Sequence, residues 1–381
     1  MPNSKPCWHN TASTAACRRC KCRLASCATR LTAFRCVDLP GGLTLTCRAT
    51  LSWPLAVLLV LLLGFAAPLQ AQTQAGAVAA PRSVTDWLVR MHEASRERAY
   101  TGTLVVSVGT AMSASRIWHV SDGVQQVERV DTLTGAPRTT IRRNSEVITF
   151  SPETKIAWVE RRESLGQFPD FLRLPGNAVS DFYTVREDGV ERVAGHLADV
   201  VEIRPRDALR FGYRIWSERR TGLVVKLQTL GEQGAVLEQM AFSELQLDAP
   251  VRMDQLIRMM GDTKGYDVRR PTLKKTTPEK EGWRLREAVP GFQPIGCYVG
   301  DAAPSLPGAS AAMQWVFSDG LASVSLFVEP FDAQRHSREH SVVIGATHSL
   351  TRRVGQHWLT AVGEVPVSTL RRFAQVLERT R

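Results

Sequence analysis

Two groups of residues in this chain have types and spacing that could do chemistry. The segment His336-Ser337-Arg338-Glu339-His340 fits the H-x-x-E-H pattern of a class of zinc peptidases, in which two histidines on one face of a buried helix hold the metal and the glutamate serves as base. Here the flanking residues Asp332, Gln334, Arg335, Ser337 and Ser341 offer no apolar stripe to bury such a helix. About 40 residues remain downstream, with Glu364 as the one convenient third ligand. The segment reads as a polar connection. The second group, Cys17, Cys20, Cys22 and Cys27, lacks the second CxxC pair of a zinc cluster and is crowded by Arg18, Arg19, Lys21 and Arg23.

Beyond these, the chain from Gln72 onward contains no G-x-S-x-G, no Walker loop and no dinucleotide fingerprint. His119, His196 and His357 are scattered one to a strand-like segment, and Cys297 has no histidine near it in sequence. A buried thiol is the simplest reading of Cys297. No catalytic residue, metal or cofactor is expected.

The run Leu55 to Ala67 is an uncharged block of 13 residues, followed by Pro68-Leu69-Gln70-Ala71. It falls short of the ~20 residues a membrane-spanning helix needs, and the small residues Ala67 and Ala71 suit signal peptidase, so cleavage after Ala71 is expected. No methionine lies between Met1 and Met91. A start at a non-ATG codon near Leu43 or Leu45 would leave residues 1 to about 42 as an upstream extension, and with the signal peptide they account for residues 1–71. This alters the electrostatics, because residues 1–71 hold eight Lys/Arg and one acid, Asp38. From Gln72 on, 40 bases face 36 acids, a net +4 in place of +11. A nucleic-acid partner inferred from the whole-chain charge loses its basis. Seven of the eight cysteines also lie in residues 1–71, which leaves Cys297 without a disulfide partner.

What remains needs about two domains to build its cores. Ser83 can cap a helix, with Asp86 three residues on and Val84, Trp87, Leu88 and Met91 at helical spacing. Short β-rich runs follow: 102–108, 115–120, 124–130, 146–150, 155–160, 197–203, 211–216, 223–230 and 235–247. Asp122-Gly123, Asp188-Gly189, Thr221-Gly222 and Gln233-Gly234 lie between them as hairpin signals. An antiparallel meander is the inference.

Between Leu165 and Phe182 the apolar residues cluster around Pro169 and Pro175, as a short helix or loop laid over the sheet would require. Trp118, Phe150, Trp158, Phe168, Phe171 and Phe182 are candidates to line an apolar ligand site, although ordinary core packing uses the same side chains. The first domain is expected over 83–265. A basic linker with Arg269, Arg270, Lys274, Lys275 and Lys280 covers 266–282. A small α+β domain then occupies 283–381, with a hairpin turning at Asp319-Gly320, a second strand pair at 347–354 and 357–363, and a last helix capped by Ser368. Domain junctions are common binding sites, so Arg269, Arg270, Trp315 and Asp319 are the candidate partner contacts.

Several segments carry a resemblance. Tyr100-Thr101-Gly102-Thr103, the run Ser115 to Arg138, Arg204-Pro205-Arg206-Asp207, Phe211-Gly212-Tyr213-Arg214, Ser318-Asp319-Gly320-Leu321 and Val362 to Pro366 are similar, in the same order, to the RseB/MucB family. The resemblance covers residue 83 to the end. It implies a large N-terminal domain, a β-rich α+β fold whose half-open antiparallel sheet or half-barrel with helices is similar to periplasmic lipoprotein carriers, followed by a small α+β domain. It also implies a periplasmic negative regulator of the sigma-E envelope-stress response. Such a protein binds the periplasmic part of a membrane-spanning anti-sigma factor, shields it from proteolysis and is displaced by lipoprotein or lipopolysaccharide. A lipid or lipoprotein carrier is the alternative from a different class, and assembly into a homo-oligomer stays open.

Overall fold

The first helix, α1 (Val84–Glu97), begins where its cap demands: Asp86 N donates to Ser83 Oγ at 3.1 Å and Ser83 N to the Asp86 carboxylate at 2.9 Å. Val84, Trp87, Leu88, Met91 and Ala94 form its buried stripe. In this computed structural model the described residues are 82–161, 178–271, 273–300, 312–336 and 338–380. The expected signal segment, the cysteine group of residues 17–27, Phe168 and Phe171 lie outside them.

Six strands follow as a meander: β1 (Tyr100–Val108), β2 (Ala111–Ser121), β3 (Gln126–Thr132), β4 (Thr139–Arg143), β5 (Glu146–Ser151) and β6 (Ile156–Arg161). After α2 (Ala178–Phe182) a second meander comprises β7 (Tyr183–Val193), β8 (His196–Pro205), β9 (Gly212–Glu218), β10 (Val224–Leu230) and β11 (Val236–Leu247). The two fuse because β11 pairs with β1. At that seam Gly102 leaves room for Phe242, since a Cβ there would stand 2.5 Å from the Glu244 carbonyl oxygen and 2.8 Å from the Phe242 ring. Helix α3 (Met253–Gly261) follows, and β12 (Asp267–Arg269) adds parallel to β6. The result is an open twelve-stranded sheet with β12 and β7 at its edges.

The second sheet has seven strands in the order β13 (Leu273–Lys275), β15 (Gln293–Gly300), β16 (Ala312–Ser318), β17 (Ser323–Pro330), β20 (His357–Gly363), β19 (Thr347–Val354), β18 (His340–Ile344). Helix α4 (Val367–Val376) packs against β19 and β20, and β14 (Trp283–Leu285) pairs with β21 (Leu377–Arg379). Trp283, Phe292, Trp315, Phe317, Leu326, Leu359, Leu370 and Phe373 belong to its core. Cys297 is buried in the same core, and loss of hydration pushes its thiol up to about 11.

The fold is therefore β-rich with few helices, as the residue pattern indicated, with differences that have physical causes. Strands β4 and β7 were not anticipated: β4 is short and half polar, and β7 is an edge strand whose outer positions are charged. Asp188-Gly189 forms a bulge inside β7, with Gly189 at φ 97°, and the β7–β8 turn is Ala194-Gly195 instead. Helix α4 starts at Val367 behind Pro366, whose ring presets φ, so Ser368 lies in the first turn and does not cap. Within the expected linker two short strands pair through the backbone, β12 with one sheet and β13 with the other. The linker's charged side chains point outward, which is why its composition reads as a tether.

Candidate functional site

The cross-strand register sorts the candidate aromatic residues, because directly paired residues of antiparallel strands present side chains to one face. Trp118, Arg129, Ile141, Ile148 and Val159 form a row across β2 to β6. Phe150, two residues from Ile148, shares this face. Trp158 belongs to the row Ile117, Val130, Thr140, Thr149, Trp158 on the opposite face. The structure brings Trp118 and Phe150 together and separates Trp158 from both.

Helix α3 covers the Trp118/Phe150 face. Its Leu256 is buried with Val127, Ile141, Ile148, Phe150 and Ala157, while Met253, Ile257, Met259, Met260, Tyr266 and Trp118 remain partly exposed around them. Phe150 meets the Tyr266 ring edge to face at 5.1 Å. Arg129 stacks over Trp118 at 5.1 Å, donates to the Met259 sulfur at 3.3 Å and pairs with Asp131 at 2.6 Å. A layer of methionine and half-exposed aromatics can repack around an irregular apolar ligand, because the thioether chain is unbranched and flexible. This helix was missed as part of a site, although Met253, Leu256, Ile257 and Met260 stand at i, i+3, i+4 and i+7.

Phe182 lies elsewhere, at the junction of the two sheets, half-buried beneath the Arg210 guanidinium at 4.5 Å. Arg210 and Asp319 are wholly buried side chains from different sheets, joined at 2.8 Å. Tyr183 donates to the same carboxylate oxygen at 2.8 Å, and the other Asp319 oxygen accepts the backbone N–H groups of Leu321 and Ala322. Arg210 also donates to Asp207 at 2.6 Å and to the Pro290 carbonyl at 2.7 Å. Burial, and then the Asp319 charge, push the Tyr183 phenol well above its ordinary range, so it stays a donor. Gly291 is needed beside this cluster, since a Cβ would strike the Arg210 guanidinium and Phe182. Leu321 inserts into the core beneath α1, Leu209 packs on the second core, and Thr369 donates to the Leu209 carbonyl at 2.7 Å.

Of the candidate partner contacts, Arg269 is exposed, pairs with Asp267 at 3.0 Å and stacks over Trp158 at 5.5 Å, and Arg270 is exposed. Trp315 is a core residue with its ring 4.7 Å from Phe317, and Asp319 is the buried centre of the junction. His336 stacks on Trp358 at 4.9 Å, and its Nδ1 accepts from Asp332 N at 2.9 Å. Glu339 accepts from Arg353 N, and His340 begins β18. Among the described residues no three His, Cys, Asp or Glu converge in a way that could hold a metal ion.

Comparison with known proteins matches residues 83–260 to the MucB/RseB N-terminal domain and residues 277–378 to the MucB/RseB C-terminal domain. The sigma factor AlgU regulatory protein MucB of Pseudomonas aeruginosa is 30% identical over 297 residues, 76% of this chain and 89% of the relative. The sigma-E factor regulatory protein RseB of Haemophilus influenzae is 25% identical over 291 residues, with the same shares covered. Among solved structures, MucB in complex with MucA(peri) superposes with a TM-score of 0.60 at 27% identity, over 78% of this chain and 99% of that one. MucB alone gives 0.54 at 26%, over 77% and 97%. With two domain matches in order and a 30% identical relative covered almost end to end, this chain belongs to the MucB/RseB family.

Proposed function

We propose that this protein is a non-catalytic, periplasmic negative regulator of a sigma-E type envelope-stress response, and that it binds the periplasmic part of a membrane-spanning anti-sigma factor. One observation carries the reading: the likeness to MucB crystallised with MucA(peri) runs through both sheets and 99% of that chain. Bound in this way, the anti-sigma factor is shielded from the protease that begins the response. Exposed Arg269 and Arg270 supply basic contacts. Trp315 and Asp319 are buried in the present arrangement and would touch a partner only after the junction opens.

The layer beneath α3, with half-exposed Trp118 and Met259 over buried Phe150, is where an acyl chain of lipoprotein or lipopolysaccharide enters. Such a ligand releases the partner only if it prefers one arrangement of the sheets over the other. The test uses residues 72–381 and the purified periplasmic part of the anti-sigma factor. Saturable binding, slowed cleavage by the protease that begins the response and weaker binding on adding lipopolysaccharide are expected. Absence of binding refutes the regulator. Undiminished binding with lipid refutes the release step, and lipoprotein transfer between vesicles without any anti-sigma binding would point to a carrier.

A further inference from the structure

Sulfur is spread unevenly over this chain. Of its eight methionines three, Met253, Met259 and Met260, stand within the nine residues of α3. All three are partly exposed in the layer over Trp118 and Phe150, whereas Met91 and Met313 are buried at 0% and 5%. Met112, 71% exposed near the start of β2, lies outside the cores of the described residues. Met240 is also partly exposed, but it sits in β11, where the ladders to β1 and β10 hold the backbone on both sides. Cys297 is buried with its thiol raised to about 11, so little thiolate forms there to meet an oxidant. The sulfur that combines solvent access with a place in a packed, lightly held element is that of α3.

How lightly α3 is held follows from its sequence. Leu256 is its one buried residue, and no side chain caps its N-terminus. The ion pairs of Asp254 with Arg252 and Arg258 join exposed side chains along the helix and do not tie it to the sheet. At i−3, i+3 and i+4 from Leu256, the three methionines border that single anchor.

The Met259 sulfur has a charged donor placed on it. Arg129 Nη1 donates to Met259 Sδ at 3.3 Å. The rest of the guanidinium is fixed, with Nε and Nη2 donating to Asp131 at 2.9 and 2.6 Å and its plane stacked over Trp118 at 5.1 Å. The Arg129 and Asp131 side chains are each 22% exposed. A thioether is a weak acceptor, so this donor is engaged far below its capacity. An oxygen on the sulfur is a strong acceptor and draws the same N–H. At 3.3 Å sulfur and nitrogen are already in contact, so that oxygen enters between them only if the sulfur draws back.

We propose that Met259 is a sulfoxidation site for a two-electron oxidant, hypochlorous acid, and that its oxidation reversibly releases α3 from the Trp118 face. A lone pair of Sδ attacks the chlorine, an S–Cl bond forms as the Cl–O bond breaks, and hydroxide leaves. Water then displaces chloride from sulfur and gives up two protons, one of which neutralises the hydroxide. Sulfur has lost two electrons and gained one oxygen, and chlorine leaves as chloride. Arg129, held by Asp131 and Trp118, does not follow the receding sulfur, so the helix that carries Met259 moves. The sulfoxide is polar, and returning it to an apolar layer without a full set of partners is unfavourable. Reduction by a thiol-dependent methionine sulfoxide reductase removes the oxygen as water and forms a disulfide in the reductase, which restores the thioether. Only the compartment in which the oxidant is met, the periplasm, rests on the function proposed above.

The test treats residues 72–381 with substoichiometric hypochlorous acid, maps sulfoxides by peptide mass spectrometry and follows hydrogen exchange over residues 252–261. Met259 and Met112 should be oxidised well before Met91 and Met313. The α3 amides should exchange at least about tenfold faster once Met259 carries oxygen. Met259→Leu, a swap close in volume and tolerated in cores, should keep α3 protected at the same dose, whereas Met112→Leu should not. Methionine sulfoxide reductase should restore the protection. Oxidation of Met259 no faster than that of Met91 overturns the site. Protection of α3 that survives oxidation of Met259, or release that persists in Met259→Leu, overturns the coupling to the helix, and protection that reduction does not restore overturns its reversibility. No partner is present in this experiment, so its failure leaves anti-sigma binding untouched, and failure of that binding leaves the oxidation site standing.

Discussion

The core beneath α1 and the core beneath α3 lie in the same twelve-stranded sheet and are built differently. Under α1 thirteen residues are buried and three apolar neighbours are partly exposed, with Trp87, Leu88 and Met91 sealed against Val201, Ile203 and Ile215. Under α3 six are buried and ten are partly exposed. The first core also receives Leu321 from the second sheet and carries Tyr183 into the Arg210–Asp319 cluster. One face of the sheet is thus committed to stability and to seating the second sheet. The other keeps apolar surface in reach of solvent, where a ligand gains by covering it.

The largest effect should come from breaking the junction on the α1 side. Asp319→Ala takes one of its two carboxylates from buried Arg210, leaving Asp207, and strips Tyr183 and the Leu321 and Ala322 N–H groups of their acceptor, and breaking a buried pair costs about 3–5 kcal/mol. Urea unfolding should show it, and a loss below about 1 kcal/mol would mean that water reaches the cluster. Within the two cores, Trp87→Ala should cost about 3–5 kcal/mol, and Leu256→Ala should fall near the low end of the range for aliphatic truncation, about 2 kcal/mol. Equal losses at the two positions would erase the distinction drawn here.

A sharper test uses ligand binding. Trp118→Glu should weaken binding of a fluorescent fatty acid about tenfold, while Trp158→Glu on the opposite face should leave it unchanged. Equal effects of the two variants would mean that the ligand does not sit under α3.

The smallest effect concerns pH and the second sheet. Burial lowers the pKa of His348, and burial together with Arg379 lowers that of His357. The folded state then binds fewer protons than the unfolded state just below the ordinary histidine pKa. Stability should therefore be lost as pH falls from about 6.5 and level off once both states are protonated. His348→Gln should flatten part of this slope in denaturant titrations at pH 5 to 7, and an unchanged slope would assign it to other groups.

Much of this architecture was legible along the chain, for reasons that are local. The Ser83/Asp86 capping box, the Asp122-Gly123 turn and the strand pair 347–354 and 357–363 depend on residues a few positions apart, so propensity and period reveal them. The family segments were equally readable, because they are stretches of sequence. Other features depend on which distant strands become neighbours. The register of β2 to β6 puts Trp118 and Phe150 on one face and Trp158 on the other, and the aromatic residue types carry no trace of that division. Asp319 looked like an ordinary hairpin-turn residue, and it does accept the turn N–H groups. Only the folding of residues 109 positions apart brings Arg210 to its other side and makes it the ion pair that joins the sheets. The exposed edge of β18 is of the same kind: no reading of the sequence singled out Val342, Val343 and Ile344, and only the strand order, which gives them no outer neighbour among the described residues, makes them a surface.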